Sequence, residues 1–169
     1  MNSNRIIMVN SYLTFMLGNE KFAVPASTAI SILEMCPITE LPKMPNYLKG
    51  IINLRGKILP IIDLKLKMGM PETARTKNTC IVVVDIFVNG ESVLFGAIVD
   101  AVMAVVEFSN SDIANLPSLG SKYRSEFISG VINIDESFII ILDLDSIVTL
   151  DEIIEIKENV DGAEVESAD

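Results

Sequence analysis

The 169-residue sequence contains no histidine and no tryptophan. Histidine is the most common general base and a frequent transition-metal ligand, so its absence removes the residue on which many catalytic and metal sites depend. The sequence also lacks the motifs of phosphate-binding loops, dinucleotide-binding folds and serine hydrolases. An enzyme is therefore the least favoured class of protein, and we expect neither a metal site nor a cofactor.

Cysteines are few, and no apolar run is long enough to cross a membrane. Cys36 and Cys80 are far apart and form no C-x-x-C pair, which predicts reduced thiols in a cytoplasmic protein. A membrane-spanning helix needs roughly 20 consecutive apolar residues, and the N-terminal residues have no sustained apolar segment typical of a signal peptide. We therefore expect a cytoplasmic location without direct insertion into the membrane.

The net charge of −10 is unevenly distributed along the chain. Residues 1–80 have a balance of +5, residues 81–150 of −8, and residues 151–169 of −7. Nucleic-acid binding requires a dominant basic surface, so nucleic acid is not an expected partner. The asymmetry is compatible with head-to-tail contacts between similar domains, and the alternative is that both halves are simply solvated.

Short β-strand patterns dominate the chain, and their order occurs twice. The segment "GIINLRGKILPIIDL" (50–64) aligns without a gap with "GVINIDESFIIILDL" (130–144). Upstream, "FAVPASTAISILEM" (22–35) aligns with "FGAIVDAVMAVVEF" (95–108). Many short strands at regular spacing predict a mainly β fold, and the duplication predicts two similar small barrels.

We expect one domain over residues 1–150, with a first subdomain at about 12–80 and a second at about 80–150. The N-terminal strand is a candidate for sharing between them. Thin barrels of this size should pack against each other and fold as one unit. After them, residues 151–160 show the spacing of an amphipathic helix, and the acidic residues 161–169 predict a disordered tail.

Asp63 and Asp143 occupy equivalent places in the two repeats, each directly after an apolar strand. Paired acids could act in general acid–base chemistry. The structural residues of a duplicated scaffold occur in both copies, however, whereas an active site usually occurs in only one. We therefore interpret both residues as N-caps of short helices.

The segment "GIINLRGKILPIIDL" also resembles a known family. It matches the pattern of the CheW chemotaxis coupling proteins at every position, and "ITELPKMPNYLKG" (38–50) and "FGAIVDAV" (95–102) match the flanking motifs. The resemblance covers residues 12–148. It implies two five-stranded SH3-like barrels side by side, with short connecting helices and a C-terminal helix.

The resemblance further implies a standalone non-catalytic adaptor with two partners. These are the cytoplasmic tip of a chemoreceptor (a methyl-accepting chemotaxis protein) and the regulatory domain of the histidine kinase CheA, in receptor arrays at the inner face of the membrane. Arg55 matches the functionally important arginine of the family, and Asn53 and Gly56 belong to the same turn. The alternative for Arg55 is an ordinary exposed turn residue.

Upstream of this turn the chain departs from the family pattern. Ser31 stands where the family often has a glutamate, and Glu34 follows three residues later. Ile32, Val99 and Val102 fit an apolar groove for the receptor tip, and the alternative is that these three are core residues.

Two other functions are weighed beside the chemotaxis adaptor. One is a scaffold of the same fold in another receptor–kinase pathway, such as surface motility. The other is a small-barrel ligand-binding module, which would require an exposed aromatic platform that the sequence does not indicate.

Overall fold

A computed structural model describes residues 8–88, 90–114 and 125–148 of the chain. Within these ranges most residues lie in strands, which confirms the predicted mainly β fold. The strands are β1 Val9–Leu17, β2 Glu20–Pro25, β3 Ala29–Glu34, β4 Leu48–Leu54, β5 Lys57–Asp63, β6 Cys80–Val88, β7 Glu91–Val99, β8 Ala101–Ser109, β9 Ile113–Ala114, β10 Ile128–Ile134 and β11 Ser137–Leu142. The helices are α1 Leu64–Lys67 and α2 Leu144–Ile147, with 3₁₀ turns at Ala26–Thr28, Asn110–Asp112 and Ser125–Phe127.

The strands form two sheets, and each sheet includes one hairpin that comes from the other repeat. One sheet has the order β8-β1-β2-β11-β10-β9 and the other β3-β6-β7-β5-β4. The N-terminal hairpin β1–β2 thus pairs with strands from the second repeat, and the hairpin β6–β7 pairs with strands from the first. The sheets therefore do not follow the predicted subdomain bounds of 12–80 and 80–150. The two hairpins have the same apolar pattern, so the sequence alone does not specify which sheet each one joins.

Strand registers show that the two repeats build the same substructure. In the first, β5 runs parallel to β7 with Ile61 opposite Gly96. In the second, β11 runs parallel to β2 with Ile141 opposite Ala23, and these are the residues that the repeat alignment equates. The hairpins β4–β5 and β10–β11 also have a register shift at the same place, just before Gly50 and Gly130.

Three apolar clusters hold the sheets together. The largest contains buried residues from both sheets, among them Phe15 and Phe22 on one side and Val82 and Phe95 on the other. Two smaller clusters lie within one sheet each, around Ile61 and around Ile132. Because the largest cluster is shared, neither sheet has a complete core without the other.

The expected N-caps differ in detail. The Asp63 carboxylate accepts a hydrogen bond from the Leu66 amide at 3.3 Å, which caps α1 as predicted. Asp143 stands at the N-cap position of α2, but its carboxylate accepts from the Ser146 hydroxyl at 2.7 Å and makes no capping bond to the backbone. The predicted helix 151–160 and acidic tail 161–169 lie outside the described residues.

Candidate functional site

A groove of about 260 Å³ lies between the two sheets, where the edge strands β3 and β8 come together. Its lining is mostly apolar: Leu13, Ala26, Ala29, Ile30, Ser31, Ile32 and Val105. Around it, four large apolar side chains are 50 to 61% exposed: Ile30, Ile32, Met103 and Val105. Apolar side chains exposed together, beside unpaired strand edges, are typical of a binding surface for another protein.

The walls of the groove are equivalent segments of the two repeats, and each contains a β-bulge. In β3 the pairing with β6 skips Ile30, and in β8 the pairing with β1 skips Met103. The repeat alignment equates Ile30 with Met103 and Ile32 with Val105. A bulge bends the strand and re-aims its side chains, which explains why apolar residues at these positions face outward rather than into the core.

Thr14 supports the bulge in β8 from inside the fold. Its buried hydroxyl donates to the Ala104 carbonyl at 2.8 Å and accepts from the Ala104 amide at 3.2 Å. The backbone polar groups next to the bulge are therefore satisfied, as buried polar groups must be. These hydrogen bonds stabilise the bulge that directs the Met103 side chain outward.

The predicted groove residues divide between this surface and the core. Ser31 and Ile32 line the groove, and Glu34 is exposed at the end of the same strand. Val102 is half-buried and packs against the main core. Val99 is 0% exposed and belongs to that core. The structure thus places Val99 away from any surface that a partner could contact.

Arg55 lies on a different part of the molecule, in the two-residue turn between β4 and β5. Arg55 and Gly56 have φ angles of 52° and 83°, as in the type I′ turns that join antiparallel strands. The Asn53 side chain accepts a hydrogen bond from the Gly56 amide at 2.9 Å. Asn53 and Gly56 therefore shape the turn that presents the exposed Arg55 side chain. Among the described residues, Arg55 has no ion-pair partner.

The equivalent turn between β10 and β11 has the same backbone shape and opposite charge. Asp135 and Glu136 have φ angles of 45° and 66°. The repeat thus builds the same hairpin twice and places a cation at one turn and two acids at the other. Neither Arg55 nor Gly56 lines the groove, so the β4–β5 turn and the groove are separate candidate contacts.

Two exposed aromatic residues did not emerge from the sequence patterns. Phe87 in β6 is 68% exposed and Phe138 in β11 is 57% exposed. A sequence signal for Phe87 was available, because the polar Asp85 precedes it by two positions and strand side chains two positions apart point to the same face. No comparable alternation marks Phe138, since isoleucine occupies all three positions that follow it.

A polar cleft of about 670 Å³ lies at the five-stranded sheet, between the segments around Cys36 and Glu72. Two ion pairs line it, Lys49–Glu72 at 2.9 Å and Lys65–Asp100 at 2.8 Å. The hydrogen bond from Lys49 lowers the pKa of Glu72 below its usual range. Both lysines of the cleft are thus paired with carboxylates.

Two further observations concern catalysis and membranes. Within residues 8–88, 90–114 and 125–148, no three potential metal-ligating side chains cluster together. In the same part of the chain, no helix has the length and apolar character needed to cross a bilayer. Burial raises the pKa of the Cys80 thiol, so the thiolate that would act as a nucleophile is disfavoured.

Comparison with known proteins assigns the family. The model of the CheW-like domain matches residues 11–152. The chain belongs to this family. The chemotaxis protein CheW of Rhizobium meliloti (strain 1021) is 33% identical over 135 residues, which cover 80% of this chain and 84% of that protein. CheW of Klebsiella aerogenes is 28% identical over 83% of this chain and 82% of that protein.

A crystal structure of the scaffolding protein TtCheW from Thermoanaerobacter tengcongensis has the same fold. Its TM-score is 0.76 at 29% identity, with 90% of this chain and 95% of that chain covered. CheW-like chains are scaffold or adaptor proteins of chemotaxis. The resemblance found at Gly50–Leu64 is confirmed as a family relationship.

Proposed function

We propose that this CheW-like chain couples the cytoplasmic tips of chemoreceptors to the histidine kinase CheA, in arrays at the inner face of the membrane. The observation that carries the proposal is the apolar groove between β3 and β8. The family supplies the chemotaxis context, and the groove supplies a surface suited to a receptor tip.

The groove fits the apolar face of a helix. Such recognition places a few large side chains of the helix into a hydrophobic channel, while polar groups remain at the rim. The exposed side chains of Ile30, Ile32 and Val105 offer this channel, and Glu34 lies exposed at one end of β3. Ser31 contributes only a small polar group where the family often has a glutamate, so apolar contact supplies most of the binding here.

Arg55 is the candidate contact with the regulatory domain of the kinase. A guanidinium presents several donors in a fixed fork and binds a carboxylate through two hydrogen bonds. The rigid turn, held by Asn53, reduces the conformational freedom that Arg55 loses on binding. Each contact is modest by itself, and an array that repeats it gains affinity through multivalency.

The kinase contact is tested by charge reversal at the turn. The purified chain is mixed with CheA and a cytoplasmic receptor fragment, and kinase autophosphorylation and co-sedimentation are measured. Arg55→Asp should abolish stimulation while the protein remains folded. Lys57→Asp, which makes the same charge change two residues later on an exposed side chain, should retain it. Equal losses in both variants would indicate a net-charge effect rather than a specific contact.

The groove is tested in the same assay by Ile32→Ser, which should weaken binding to the receptor fragment. Phe87→Ser removes a similarly exposed apolar side chain that does not line the groove, and should leave receptor binding unchanged. If the wild-type chain binds neither cognate partner, the chemotaxis proposal fails. A scaffold of the same family in another receptor–kinase pathway would then be the better explanation.

A further inference from the structure

Asp100 is the single residue between β7 of one sheet and β8 of the other, and it contacts both sheets. Its Oδ1 accepts from the Lys65 ammonium in α1 at 2.8 Å, on the side of the first repeat. Its Oδ2 accepts from the Gly18 amide at 2.6 Å, in the turn between β1 and β2 of the other sheet. Its own amide donates to the Met16 carbonyl in β1 at 2.9 Å. One side chain thus connects two sheets at the point where the chain crosses between them.

The partner of Asp100 is a buried cation. The Lys65 side chain is only 5% exposed, and its ammonium also hydrogen-bonds the Thr73 hydroxyl. Removing a lysine from water is costly, and a buried ion pair often stabilises a fold no better than apolar residues of similar size. The Asp100 side chain is 23% exposed, so the pair is buried on the lysine side, and we interpret its role as fixing geometry rather than as adding stability.

The duplicated scaffold does not require this pair. The repeat alignment equates Lys65 with Asp145 and Asp100 with Ser27, and both Asp145 and Ser27 are exposed. The equivalent junction from β2 to β3 is therefore built without a cation or a matching carboxylate. The network of Lys65, Asp100 and Gly18 is a property of the β7–β8 junction alone.

That junction leads directly into one wall of the groove. β8 begins at Ala101, directly after Asp100, and presents Met103 and Val105. The opposite wall, β3, belongs to the five-stranded sheet. Lys65 lies in α1, which directly follows β5 of the same sheet. The way in which the start of β8 is held relative to the five-stranded sheet is therefore a candidate determinant of the spacing between the two walls.

We propose that Asp100 is a positioning residue that, through Lys65 and Gly18, sets the distance between the β3 and β8 walls of the groove and so its affinity for a receptor helix. The effect on affinity rests on the proposed function, whereas the effect on the distance does not. Asp100 itself does not line the groove, so its influence is indirect.

The distance is measured by pulsed electron spin resonance between spin labels on the two walls. Cysteines replace the exposed residues Glu34 and Glu107, which the repeat alignment equates, in a background with Cys36→Ser and Cys80→Ala. Without further change we expect one narrow distance distribution. Asp100→Ala should broaden or shift it at a temperature where circular dichroism shows a folded protein. Asp100→Asn, which keeps an oxygen acceptor for the Gly18 amide, serves if the alanine variant does not fold.

The matched control is Glu72→Gln. It removes the other ion pair of the same cleft, which joins β4 to the segment after α1 and does not connect the two sheets. This variant should leave the distance distribution unchanged. The inference is overturned if the Asp100 variants keep the distribution of the parent protein, or if Glu72→Gln broadens it equally.

Binding gives the second measurement, on chains without labels. Asp100→Asn should weaken binding to the receptor fragment several-fold and leave binding to the kinase regulatory domain unchanged, because Arg55 does not line the groove and has no ion pair with Asp100 or Lys65. Equal weakening of both would indicate a general loss of structure and contradict the inference. If the wild-type chain binds no receptor fragment, the proposed function fails, and the distance measurement still decides whether Asp100 positions the walls.

Discussion

The turn between β10 and β11 should be strained, and relieving it should stabilise the protein. Glu136 has a φ of 66°, and its counterpart in the other repeat is Gly56 at 83°. The left-handed region costs an L-residue about 1–2 kcal/mol. Glycine avoids this cost but loses about 0.5–1 kcal/mol through its greater freedom in the unfolded chain. Glu136→Gly should therefore raise the free energy of unfolding by about 0.5–1 kcal/mol.

Thermal and urea unfolding, monitored by circular dichroism, measure this change in the free energy of unfolding. For a chain of this length, about 1 kcal/mol corresponds to roughly 2–4 °C in Tm. Glu136→Gln removes the charge but keeps the positive φ, so it should show little of the gain. Gly56→Glu should lose about 1 kcal/mol, because a Cβ at Gly56 meets no atom within 4 Å and the backbone angle is the main cost. The reasoning is refuted if Glu136→Gly destabilises the protein or if Gly56→Glu is neutral.

Three further predictions concern the close backbone approach at Gly50, the helix caps and the Cys80 thiol. Gly50→Ala should destabilise by about 3 kcal/mol or more, since φ is 141° and a Cβ would lie 2.1 Å from the Thr39 carbonyl oxygen; soluble expression and Tm measure this loss. Asp63→Ala should cost about 1 kcal/mol in urea unfolding through the lost cap, and Asp143→Ala less, because its carboxylate makes no capping bond to the backbone. In a Cys36→Ser variant, iodoacetamide should alkylate Cys80 more slowly at pH 7 than a free thiol, because burial raises its pKa and keeps the reactive thiolate scarce; a rate equal to that of the free thiol would contradict this.

Much of this protein follows from local sequence patterns. Alternating apolar residues and turn signals predict the strands, since both report on which side chains meet the core and which backbone angles are required. The ungapped repeat from Gly50 and from Gly130 predicts two equal hairpins, and the structure gives them the same register. Arg55 could be singled out as a candidate contact because the motif around it is specific to a family, and that role stays a prediction.

Tertiary structure decided the features that depend on pairing between distant segments. Two hairpins with the same apolar pattern could each complete either sheet, and only the packed molecule shows that they are exchanged. Val99 and Ile32 are both apolar strand residues, yet one lies in the shared core and the other on a groove wall. Exposure of Ile30 and Met103 follows from bulges, which a change of register between two strands creates. The link of Lys65 to Gly18 through Asp100 joins residues up to 82 positions apart, because only the folded chain brings these polar groups together.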